Sequence, residues 1–129
     1  MSYYFSKTLR DISFENAIEQ TTAALKNEGF GILTEIDIKS TMKQKLDKEY
    51  NNYKILGACN PSFAHKALQA ENKIGTMLPC NVIVRENDDR SIEVAAVDPV
   101  ASMMGVANEN LAQIAGEVRN KLKNAVESL

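Results

Sequence analysis

The sequence predicts a two-layer α+β sandwich in which helices cover one face of a sheet and leave the other open to a partner or a ligand. Three observations carry this. Strand-type and helix-type segments follow the order β-α-β-α-β-α-β-β-α, the last two strand segments read as an antiparallel hairpin, and the glycine-rich phosphate turn of doubly wound folds is missing. At 129 residues the chain is expected to form a single α+β domain over 1–129, long enough to bury one core without disulfides or metals.

The first strand is expected within residues 2–9, where Tyr3, Tyr4, Phe5, Thr8 and Leu9 give a β-prone composition. Ser13 fits an N-cap, and Phe14, Ala17, Ile18, Thr21 and Leu25 recur at helical spacing until Gly29 supplies a stop. Phe30 to Ile36 reads as the second strand. Residues 38–49 then place Ile38, Met42 and Leu46 on one stripe of a short amphipathic helix, with lysines elsewhere. A third strand over Tyr53 to Ala58 contains Gly57, which permits a bulge or a close backbone approach. Asn60 suits an N-cap and Pro61 the first helical position, followed by Phe63, Ala64, Ala67 and Leu68.

An apolar connector, Ile74 to Pro79, leads to a strand over Cys80 to Arg85. The turn Asn87-Asp88-Asp89-Arg90 joins it to Ser91–Val97, where Ile92, Val94 and Ala96 alternate onto one face. Asp98-Pro99 breaks this strand. Asn108 caps a final helix whose stripe of Leu111, Ile114, Ala115, Val118, Leu122, Ala125, Val126 and Leu129 belongs to a core.

Composition excludes several classes of function. With 44% hydrophobic and 25% charged residues, the chain matches ordinary globular usage. Its net charge of −2 comes from 15 basic and 17 acidic residues scattered along the chain, and no aromatic platform interleaves with a basic groove, so nucleic acid is not an expected partner. No apolar run approaches a bilayer span, and the first residues are too polar for a signal peptide, so a cytoplasmic location without membrane contact is expected. Thiols in that compartment are reduced at rest.

The candidate chemistry lies in two segments, Ala58-Cys59-Asn60-Pro61 and Leu78-Pro79-Cys80-Asn81, which hold both cysteines of the chain. A thiol beside a helix start lies near exposed backbone donors that favour its anion. The helix dipole contributes only about 0.3–1 kcal/mol, less than one pKa unit, so His65 or Lys66 would have to add to it. Whether the thiols meet depends on topology: parallel strands would hold them roughly 20 Å apart, whereas antiparallel strands would bring them to one end of the sheet. The competing reading is plain packing, because buried cysteine is a common apolar filler and Asn-Pro needs no function at a helix start. Pro79 is a position where a cis bond is admissible.

Other constellations are weaker. A metal set of Cys59, Cys80, His65 and Asp98 matches no standard zinc spacing, and no metal is expected. Met103-Met104 reads as core filler, with a pocket wall or a dimer contact as alternatives. Asp88 and Asp89 fall in a solvated turn. No catalytic triad, phosphate loop or metalloprotease helix is present, and the sequence leaves any cofactor unknown.

Gly57-Ala58-Cys59-Asn60-Pro61, Ala64, Ala67-Leu68, Ile74-Gly75, Leu78-Pro79-Cys80-Asn81-Val82 and Asp98-Pro99 together resemble the family called domain of unknown function 302, over nearly the whole chain. The resemblance implies a curved, mainly antiparallel sheet similar to the TATA-binding-protein-like fold, and homodimerisation. It implies no reaction. The family's motif positions fall here on Cys59, Asn60, Pro61, Pro79, Cys80 and Asn81.

Two functions follow as expectations. In the first, the chain binds a small molecule or a sulfur species around Cys59, Asn60, Pro61, His65, Pro79, Cys80 and Asn81. Cys59 is then the anchoring or reactive thiol, Cys80 a resolving partner, and the asparagines hydrogen-bond donors. In the second, the chain is a non-enzymatic homodimeric interaction protein whose cysteines only pack.

Overall fold

The structure is a computed structural model that describes residues 2–129. Its elements in chain order are β1 (Tyr4–Leu9), α1 (Phe14–Asn27), β2 (Gly31–Asp37), α2 (Ile38–Leu46), β3 (Tyr53–Cys59), α3 (Pro61–Ala70), a 3-10 turn (Ile74–Met77), β4 (Cys80–Glu86), β5 (Ile92–Val97), α4 (Pro99–Ser102) and α5 (Glu109–Glu127). The strands form one antiparallel sheet in the order β1-β5-β4-β3-β2.

Pleating sorts the side chains. Leu56, Ala58, Cys80, Val82, Val84, Ile92, Val94 and Ala96 point into a core closed by Phe14, Ala17 and Leu25 of α1 and by Val118, Leu122, Ala125 and Val126 of α5. The alternate residues, among them Tyr4, Tyr53, Ile55, Asn81, Ile83, Arg85, Glu93, Ala95 and Val97, lie on the face that the helices leave uncovered.

The helix ends obey local chemistry. Ser13 Oγ accepts from the Asn16 amide at 3.1 Å, and Asn108 Oδ1 accepts from Leu111 at 3.2 Å, as their N-cap positions require. At the end of α1, Gly29 takes φ +88°, while its amide reaches the Lys26 carbonyl and Phe30 reaches Leu25. This pairing satisfies the last carbonyls of the helix and needs a residue free of a Cβ at the left-handed position. In the β4–β5 turn, Asp89 accepts from both the amide and the hydroxyl of Ser91, which holds the hairpin register.

Two local expectations are revised. α2 forms but ends at Leu46, short of the expected residue 49, and its stripe of Ile38, Met42 and Leu46 is not buried, with Leu46 63% exposed. The helix merely connects β2 to β3, and the core is already closed by α1 and α5. Asn60 occupies the N-cap position of α3 without capping it. Its side-chain amide points instead to the Glu28 carbonyl, 3.5 Å away at the end of α1.

Candidate functional site

The antiparallel pairing of β3 with β4 decides where the two thiols lie. Ala58 is the register partner of Cys80, so Cys59 and Cys80 stand at the same end of the sheet, one residue out of step. Neighbouring positions along a pleated strand direct their Cβ atoms to opposite faces, so this offset does not aim the two Cβ atoms at each other. Both cysteines are free thiols, with Cys80 buried and Cys59 half-buried.

They nevertheless share a cavity. A space of about 30 Å³ opens at this end of the sheet, beneath α3 and α5, and both cysteines line it together with Asn60 and Pro79. Its remaining walls include Phe30, Phe63, Leu78, Met103, Ile114 and Val118. Such a volume admits about two water-sized bodies and no drug-sized molecule.

The walls set the acidity of the thiols. Burial pushes the Cys59 thiol above its ordinary range. Burial, followed by the nearness of Cys59, pushes Cys80 up to about 11. Desolvation disfavours the thiolate more than a helix start favours it, so both sulfurs rest protonated at neutral pH. The Leu78–Pro79 peptide beside them is cis.

The other sequence-derived candidates lie elsewhere. Pro61 and His65 are exposed on α3 and do not line the cavity. Lys66 also lies on α3, and its ammonium sits 5.5 Å from the Phe63 ring centroid. Asn81 belongs to the uncovered sheet face, where it borders a groove of about 400 Å³ with Tyr3, Tyr4, Tyr53, Ile83 and Val97. Arg85 and Glu93 lie 3.0 Å apart in the same groove. Asp98 caps α4 through the Val100 amide at 3.0 Å and pairs with Arg119 at 3.1 Å. Among the described residues, no group of three or more His, Cys, Asp or Glu side chains is placed to share a metal ion.

Met103 is the most informative wall residue that the motif segments did not include. It is 8% exposed, whereas its neighbour Met104 is 69% exposed, and the contrast is set by the short α4 that Asp98 and Pro99 begin. The α5 wall was visible in the sequence only as a core stripe. No spacing signal distinguishes a residue that fills a core from one that borders a small hole in it.

The fold belongs to a class of small α+β proteins with a solved representative. A family profile described as "Domain of unknown function DUF302" matches residues 5–129, and the chain is a member of that family. The solved structures include a crystal structure of an uncharacterized conserved protein DUF302 from Bacillus stearothermophilus, with a TM-score of 0.90 at 21% sequence identity. That match covers 98% of each chain, and at this identity it speaks for the fold. No curated protein matches the chain. Among the described residues, no helix is long and apolar enough to cross a membrane.

Proposed function

We propose that the chain handles a small sulfur species at the two-thiol cavity, with Cys59 as the reacting group. The observation that carries this reading is the pairing of one reachable thiol and one buried thiol on the walls of a single apolar space. A polysulfide approaches Cys59 at the half-buried lip. The Cys59 sulfur attacks the outer sulfur of the polysulfide as the next S–S bond breaks. The shortened polysulfide leaves with the bonding pair and takes up the thiol proton, and Cys59 is left as a persulfide.

The cavity is large enough for the added sulfur atom and too small for an organic chain, which favours inorganic sulfur over a bulky disulfide. Cys80 forms the apolar wall around that atom. A role for Cys80 as resolving thiol requires the strand end to rotate, because of the one-residue offset. The test is to incubate the reduced protein with polysulfide and read its intact mass. A gain of one sulfur atom that is lost in Cys59→Ser supports the reading, and an unmodified native protein contradicts it.

A second reading is favoured by the uncovered sheet face. Tyr4, which is exposed, and the half-buried Ile83 and Val97 give it an apolar surface, and Arg85 stands beside Glu93. A second copy related by a twofold axis can set each arginine against the other copy's glutamate, so that the face serves as a homodimer interface. Light scattering of Ile83→Glu tests this: a monomer where the native protein is dimeric supports it, and a monomeric native protein contradicts it.

A further inference from the structure

Cys59, Cys80 and Met103 all line the same cavity, and we propose that their sulfur atoms form a site for one soft monovalent cation of the copper(I) or silver(I) class. The proposal goes beyond the sulfur-transfer reading and does not rest on it, because that reading has no use for Met103.

The donor inventory selects the ion. Of the side chains lining the cavity, Asn60 alone carries a polar atom other than sulfur. Hard cations such as magnesium and calcium need several oxygen ligands, and a structural zinc site needs four nitrogen, sulfur or carboxylate donors. A soft ion is satisfied by thiolate and thioether sulfur. The cavity volume of about 30 Å³ suits a single desolvated ion rather than a hydrated one.

The donors come from three separate places: the end of β3, the start of β4 and the residue that closes α4. Cys80 and Met103 are 7% and 8% exposed, so packing holds both. Cys59, at the half-buried lip, is the point of entry.

Coordination is balanced without any change of oxidation state. Each thiol releases its proton to solvent, the two thiolates and the Met103 thioether donate to the ion, and the site carries one net negative charge. The first turn of α3, which Asn60 leaves without a side-chain cap, begins at Pro61, two residues after Cys59, and favours that charge. Because coordination displaces a proton from each thiol, binding tightens as pH rises.

The test titrates the reduced full-length chain anaerobically with copper(I) against a chromophoric chelator, alongside Met103→Leu and Cys59→Ser. Met103→Leu nearly conserves volume and keeps the core filled. The expected result is one copper per chain with two protons released. Met103→Leu should bind at least about tenfold more weakly while Cys59 alkylates at the native rate, and Cys59→Ser should bind more weakly still. X-ray absorption of the copper-loaded native protein should count three sulfur neighbours, a reading that does not depend on how any variant folds. Failure to draw copper from the chelator, equal affinity in Met103→Leu, or only two sulfur neighbours overturns the proposal. Persulfide formation at Cys59 in the metal-free protein is unaffected by any of these outcomes.

Discussion

Ala58 lies directly opposite Cys80 across the β3–β4 pair, which leaves Cys59 one residue past the register of its fellow thiol. The two sulfurs therefore share an end of the sheet while differing in reach. A native-state alkylation experiment should modify Cys59 first and Cys80 only after unfolding. The Cys59 rate should still be climbing above the ordinary thiol range, because burial raises its pKa.

Alkaline stability follows from Cys80. Its folded-state pKa, pushed up to about 11, exceeds the unfolded value near 9, so the unfolded chain loses the thiol proton first. The contribution is fully present below pH 9 and is lost as pH rises from there towards 11. Urea titrations across that window should show falling stability in the native protein and a flatter profile in Cys80→Ala, whose lower baseline reflects the lost packing.

Gly57 has no room for a methyl group. A Cβ there would overlap Thr34 Oγ1 and sit 2.7 Å from Pro79 Cγ, and a ring carbon does not swing aside as a long side chain does. Gly57→Ala should cost about 1–3 kcal/mol in a denaturant titration. Adding Thr34→Ala should recover part of the loss and leave the share due to Pro79.

Gly29 tests the end of α1. At φ +88° a Cβ is strained, and it would approach Asn60 Nδ2 to 2.8 Å. Gly29→Ala should destabilise by about 1 kcal/mol or more. Asn60→Ala in the same chain should relieve the contact without relieving the backbone, so the double variant should remain below Asn60→Ala alone.

Asp98 joins two elements at the C-terminal end of β5, the end of the sheet that also holds the cysteines. It caps α4 and pairs with Arg119, whose guanidinium carbon also lies 5.0 Å from the Phe5 ring centroid. Asp98→Ala removes a cap and strands a partly exposed arginine, a loss of about 2 kcal/mol by thermal or urea unfolding. Arg119→Met should cost less, since the cap survives.

The sequence was most readable where periodicity and end chemistry agreed. Ser13, Gly29, Asn108 and the stripe from Leu111 to Val126 marked α1 and α5, and the alternation Ile92, Val94, Ala96 marked β5 and its buried face. α2 shows the limit: its four-residue spacing was correct for a helix, but burial depends on what else covers the sheet, which local sequence does not encode. The cysteine segments were visible as motifs, yet their meeting at one end required the β3–β4 pairing. Asn81 and His65 parted from the cavity for the same reason, since closeness in sequence to a cysteine fixes neither the sheet face nor the helix face. Met103 entered it through a tertiary turn that only the folded chain defines.

The most direct test of the account is mass spectrometry of the reduced native protein after exposure to polysulfide, with and without prior unfolding. One added sulfur is expected on Cys59 in the folded protein, with Cys80 unmodified until the chain is unfolded. Two thiols that remain unreacted until denaturation would contradict it and leave both cysteines as packing residues.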